Sequence, residues 1–349
     1  MKAEKKVLGH LTKCYSVAPL NYKGTEHFLV AAEKEDPCLL FDMDGNKVDT
    51  VWEEPGGTMS MVQVPGTDGQ FLATQRFYSP NDSKEAVIVL VTPDNSGKWQ
   101  IKTIAALPHV HRFDILKRGK TLYFLACTLK SGHEYKEDWS SPGRVYAAVL
   151  PEDLSKLCES SPLQLEVIQE GLFKNHGYYR VEENGVDTGL ISCEGGVFQF
   201  VPPFQKGEKW EVRKLLDTPA SDGVLIDFDE DGEKELAVLS PFHGDCISIY
   251  KKSEGSYKKV YEYEKKAEFS HGIFGGSLCG KPALVVGHRQ GERNLLCFTW
   301  NKERKIFQWE ILDRDCGPAN VLHLKKEGED LLISANREID EIAMYRITP

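Results

Sequence analysis

The sequence predicts an all-β chain folded as a seven-bladed β-propeller, with its N-terminal strand closing the last blade. Three observations carry this expectation. Short runs rich in β-branched and aromatic residues recur along all 349 residues, helical periodicity is almost absent, and the runs return at a near-constant spacing.

The runs are HFLVAAE, QFLATQR, TLYFLACT, TGLISCE, ELAVLSPF, ALVVGHR and DLLISANR. Each is bounded by Gly, Asp or Asn, and each is followed by a second strand pair such as CLLFDMDGNKVDTVW. Setting the turn residues in phase puts blade starts near residues 14, 59, 109, 175, 221, 271 and 317 of one domain spanning 1–349. The spacing is about 45–50 residues, with one interval of about 66 where GHEYKEDWSSPGR and PEDLSKLCESS are inserted. Four strands per unit of that size is the propeller pattern. The last unit, 317–349, is about one strand short, and the opening KKVLGH supplies it, which removes an exposed sheet edge. The one helical turn expected lies in PEDLSKLCE, where Pro151 opens it.

Composition narrows the function. Lys and Arg number 43 against 53 Asp and Glu, a net charge of -10, which argues against binding a phosphate backbone. The N-terminal MKAEKKVLGHLTKC has no apolar leader, and no stretch approaches the ~18 apolar residues of a membrane span, so a cytoplasmic protein is expected. Nine cysteines with no CxxC pair read as reduced thiols, not as a disulfide framework or a zinc–thiolate site.

In a propeller the first strand of a blade starts on the face where the second ends, so both points border the central channel. First-strand starts contribute His109, His111, Arg112, His176, Asp222, His271 and Asn320 to that mouth. Second-strand ends contribute Arg76, His133, His243, His288, Arg289 and Arg337. Neutral imidazoles ligate a divalent cation, arginine forks bind carboxylates or oxyanions, and histidine and tyrosine move protons near neutral pH. No facing carboxylate pair, no GxSxG elbow and no Gly-rich phosphate loop is present. What remains is metal- or histidine-assisted proton abstraction beside a carbonyl or carboxylate, with loss of a β-leaving group.

A second motif stands apart. In DFDEDGEKELAVL, Asp227, Asp229, Asp231 and Glu235 surround a turn at Gly232, a spacing of oxygen donors suited to a structural calcium ion on the opposite face. The other reading is an Asp-rich tight turn.

The DFDEDGEKELAV loop resembles the FG-GAP or VCBS-type propeller repeat. More narrowly, PHVHRFDI, SHGIFGGSL, LVVGHRQGERNLLCF and the segment from Gly317 to Arg346 resemble blades of aldos-2-ulose or 1,5-anhydrofructose dehydratases and of rhamnose-glucuronate lyases. The resemblance implies a carbon–oxygen lyase acting by β-elimination on an oxidised sugar or uronate glycoside, with a divalent metal of unassigned identity at the channel mouth. Carried over, it assigns the metal to His109, His111, His271 and His288. In the same reading the metal, or Arg112 with Arg289, stabilises the enolate; His109 or His271 is the base, and Tyr178 or His176 protonates the leaving oxygen. Arg76, His133, His243, Asn320, Arg337 and Trp139 then surround a small carbohydrate substrate. The alternative is a non-catalytic propeller that binds a glycan or a protein partner.

Overall fold

The computed structural model describes residues 1–135 and 137–349, and these form seven four-stranded antiparallel sheets. Within each sheet the strands are lettered A to D from the axis outward. The A strands are Cys14–Tyr22, Met61–Gln63, Val110–Arg118, Gly177–Glu183, Asp222–Ile226, Ser270–Leu278 and Asn320–Lys326, of blades 1 to 7 in that order. Each touches the A strand of the blade before and of the blade after, and the last touches the first, so the ring is closed. The outermost strand of the seventh sheet is Lys2–His10, which runs antiparallel to Glu341–Thr348 from Lys2↔Thr348 to His10↔Glu341.

Burial explains the sequence pattern. B strands such as Thr121–Thr128 and Glu329–Asn336 are covered on both faces by neighbouring blades, so they read as continuous apolar runs and not as an alternation. Outer strands such as Glu211–Leu216 and Lys2–His10 carry charged, exposed side chains, which keeps the sheet edges from pairing with other chains. The expected helical turn is a short 3-10 turn, Leu154–Lys156, in which the Asp153 side chain accepts from the Ser155 amide.

Three A strands share one irregularity. Pairing with strand B skips a residue between Cys14 and Ser16, between Val110 and Arg112, and between Ser270 and Gly272. A bulge of this kind leaves one residue unpaired and re-aims its side chain. The residues so placed are Tyr15, His111 and His271, all at the same height in the ring. His176, just ahead of its A strand, occupies the corresponding place in blade 4.

Candidate metal centre and channel

The three bulges and the start of blade 4 send Tyr15, His111, His176 and His271 inward to the axis, where all four are buried. The Tyr15 hydroxyl lies 2.9 Å from Nε2 of His271 and 3.3 Å from Nε2 of His111. His243 reaches the same point from the loop after strand B of blade 5, with its Nε2 3.3 Å from Nε2 of His176. One nitrogen each from His176, His243 and His271 lies within 4.8 Å of the other two.

The rear nitrogens fix the orientation of the rings. Nδ1 of His111 is 3.0 Å from the His176 carbonyl, and Nδ1 of His271 is 2.6 Å from the Ala319 carbonyl. Nδ1 of His176 meets the Ser221 carbonyl at 3.1 Å and Asp222 Oδ2 at 3.0 Å. Each acceptor belongs to the next blade around the ring. Because carbonyls and carboxylates only accept, all three Nδ1 atoms carry a proton, and all three Nε2 atoms point to the axis, where a neutral ring presents a lone pair. Gly177 makes the Asp222 contact possible: a Cβ there would lie 2.4 Å from the Ser221 carbonyl oxygen.

The axis is therefore rich in acceptors. Three lone pairs face one Tyr15 hydroxyl proton and at most one proton on His243 Nε2. Protonating His111 or His271 does not correct the imbalance, because burial pushes their pKa well below the ordinary 6.5, and the neighbouring His176 adds to the effect. His243 is lowered to about 2, again mainly by burial. Burial raises the Tyr15 phenol to about 12, so it stays a donor. Three imidazoles with carbonyl or carboxylate partners behind two of them are, once their Nε2 atoms are free of protons, the donor set of a zinc-class ion, whose tetrahedral ligand nitrogens stand about 3.3 Å apart.

On one side the cluster is closed. The His243 ring is stacked between Phe242 at 3.9 Å and Phe269 at 4.2 Å, and the Arg289 guanidinium lies 4.5 Å above Phe269. On the other side lies a cavity of about 430 Å³ that runs from His271, Met59 and Ser60 past Arg112, Asp114, Tyr178 and Asp222 toward Pro19 and Gln63. The imidazole layer is thus a floor within the channel, not a rim around its mouth as the sequence had implied. The cavity widens toward the end where A strands turn into B strands.

Of the residues expected at the site, His111, His176, His243 and His271 converge. Arg112 and Asn320 lie directly beneath: Arg112 Nη1 donates to the Met59 carbonyl at 2.8 Å and Nη2 to Asn320 Oδ1 at 3.1 Å, while Asn320 Nδ2 donates to the Tyr15 carbonyl at 2.8 Å. Tyr178 lines the cavity but gives its hydroxyl to Asp114 at 2.9 Å.

His109, assigned both to the metal and to the base role, sits elsewhere. Its backbone is left-handed, with φ 63, which turns the ring toward Ser83 at 2.8 Å and edge-on to His133 at 5.5 Å. Burial lowers it to about 4. His288 is consumed within its own turn, Nδ1 by the Gln290 carbonyl at 2.9 Å and Nε2 by the Asn294 amide at 3.0 Å, so no lone pair is left for a metal.

Arg289 and Arg337 are neutralised by Glu338 and Glu33 above the lid, and Arg76 is exposed on its loop. His133 has its Nδ1 buried without a hydrogen-bond partner among the described residues. Trp139 covers the buried Lys130 ammonium at 4.1 Å and meets Phe242 edge-on at 5.2 Å, which places it behind the lid and not on a sugar-binding wall.

Residue-level reading missed Tyr15. The signal was its phase, one residue past the start of blade 1 as His111 and His271 are in theirs, but without an imidazole to draw attention to it.

In the Asp-rich loop the expected donors come together: Asp227, Asp229 and Glu235 each offer an oxygen within 4.8 Å of the others. Lys251, two strands away, places its ammonium 2.6 Å from Asp229, 2.7 Å from Asp231 and 3.0 Å from Glu235. Asp227 accepts the amides of Asp231 and Gly232, and Glu235 accepts that of Phe228. One ammonium against three carboxylates offsets their charge only in part.

No protein-family model matches this chain, and comparison with curated proteins gives no match. Among solved structures it is similar to the β-propeller domain of Cps50 (Swd1) from Myceliophteria thermophila, with a TM-score of 0.60 at 10% identity over 99% of this chain and 100% of that one. It is also similar to the Dos1 propeller, with a TM-score of 0.58 at 9% identity over 95% of this chain and 77% of that one. At such identities the likeness is one of fold alone. It establishes the propeller and lends no support to the narrower resemblance to FG-GAP repeats or sugar lyases.

Proposed function

We propose that this propeller binds a divalent metal of the zinc class on its axis, through His176, His243 and His271, and takes a small oxygen-rich ligand of the sugar type in the channel beneath. The observation that carries this reading is the surplus of buried Nε2 lone pairs at one point, with the rear nitrogens already committed to carbonyls and a carboxylate. A bound metal of this kind polarises a ligand oxygen. The protein's own groups do the rest: Asp222 and Ser221 hold His176, Phe242 and Phe269 clamp His243 and shut out water from one side, and the channel polar groups orient what enters from the other.

The binding reading covers a non-catalytic propeller. One feature favours β-elimination as a second reading. The Tyr15 hydroxyl stands between Nε2 of His271 and Nε2 of His111; with the metal on His271 it is left facing His111 beside the metal, a proton donor at the channel floor that binding alone does not require.

The metal reading is tested by titrating chelator-treated protein with zinc, and with cobalt for its visible spectrum. One equivalent is expected in the wild type, lost in His176→Asn and His243→Asn. Unchanged stoichiometry in both variants overturns it. Formation of an ultraviolet-absorbing unsaturated product from oxidised sugars or uronates, lost in Tyr15→Phe, decides between binding and elimination.

A further inference from the structure

The cavity beneath the imidazoles holds two guanidinium groups in different electrical situations. Arg180 is committed: its Nε donates to Asp114 at 2.8 Å, its Nη2 pairs with the same carboxylate, and Tyr178 completes the cluster. Arg112 lines the same cavity, yet its polar partners are neutral, the Met59 carbonyl and the Asn320 side-chain oxygen. It forms no ion pair among the described residues, and its guanidinium lies 5.6 Å over the Tyr15 ring. These contacts fix the planar group and use only part of its five N–H donors.

The other charges near the floor do not compensate it. Asp222 is hydrogen-bonded to Nδ1 of His176, the arrangement that strengthens a metal-holding imidazole, so a bound metal satisfies it first. Arg289 lies beyond Phe269 and is paired with Glu338. With a metal in place the channel floor is net positive, and its one unmatched fixed charge is a planar fork suited to a carboxylate. The cavity, about 430 Å³, is in the range of small-molecule sites.

We propose that the channel ligand is a small sugar acid whose carboxylate docks on Arg112 while its remaining oxygens reach the axial imidazoles, entering by the end where A strands turn into B strands. This deepens the metal-centre reading and rests on it for the imidazole end and for the charge that offsets Asp222.

The test is calorimetric titration of zinc-loaded protein with glucuronate, glucose and inorganic phosphate. Glucuronate is expected to bind about tenfold or more tighter than glucose, and Arg112→Gln to abolish the difference. Arg112→Lys, which keeps the charge and loses the fork, is expected to retain part of it and serves as the informative variant should Arg112→Gln not fold. Equal binding of glucuronate and glucose, tighter binding of phosphate, a preference that survives Arg112→Gln, or no binding of any probe overturns the proposal. The two readings fail separately. Absence of zinc binding removes the metal centre, whereas an Arg112-dependent glucuronate preference in chelator keeps the carboxylate site.

Discussion

Lowering the pH from 7 to 5 is expected to destabilise the fold by an amount set by its axial histidines. In the unfolded chain each imidazole titrates near 6.5, whereas His111, His243 and His271 are held far below that by burial. Their folded pKa values are depressed, so the unfolded chain takes up protons that the fold refuses. Their contribution is complete above about pH 7 and is lost as the pH falls. Between pH 7 and pH 5 each such histidine costs about 2 kcal/mol, or about 6 kcal/mol for the three. His109, at about 4, adds nearly 2 kcal/mol in the same direction. Against a typical total of about 5–15 kcal/mol this is a large fraction.

The assay is urea unfolding followed by tryptophan fluorescence, in chelator, at half-unit steps across that window. Most carboxylates titrate below it, so the slope reports histidines. Three refused protons give about 4 kcal/mol per pH unit near pH 5.5, and His271→Gln is expected to remove about one proton from the slope. A wild-type slope below about 1.4 kcal/mol per unit, one proton or fewer, would refute the closed, neutral imidazole layer on which the metal reading stands.

Other perturbations probe the supports. Asp222→Asn is expected to weaken zinc about 10- to 100-fold by direct titration, since the His176 ring loses its charged partner while its shape is kept. Gly177→Ala forces a Cβ against the Ser221 carbonyl and is expected to cost about 1–3 kcal/mol in urea unfolding and to lower zinc affinity with it. Lys251→Met leaves Asp229, Asp231 and Glu235 without their ammonium; a loss of about 2–3 kcal/mol in chelator that millimolar calcium restores is expected, and no calcium response would show that the loop holds only its own lysine.

The phase of the repeats was legible because B strands buried on both faces leave continuous apolar runs, and the gathering of His111, His176, His243 and His271 followed from that phase. The errors have local causes. In HVHR, strand alternation puts His109 and His111 on one face, but a left-handed residue at His109 and a bulge at His111 break the alternation, and only the second ring reaches the axis. His288 looked equivalent to the others until its own turn was seen to consume both nitrogens. The Asp-rich motif is a local pattern, and the lysine that reaches into it, Lys251, comes from strand C, where no spacing rule points.

The bonds that aim the site are also the bonds that join the blades. His111 donates to blade 4, His176 to blade 5 and His271 to blade 7; Asn320 donates to blade 1 and Ser60 to blade 3. Each ties neighbouring or facing A strands at the level where pairing within the blade is interrupted, so the imidazole layer doubles as an inner belt of the ring. Truncating His176 or His271 removes a ligand candidate and loosens two blades together, and a loss of function alone does not separate the effects. Metal binding to the assembled belt alone, and not to the open chain, raises stability with concentration. The unfolding midpoint in zinc relative to chelator therefore reads the centre directly, and substitutions that remove Nε2 while keeping a donor near the Nδ1 position, such as asparagine for histidine, are the ones that distinguish ligation from stitching.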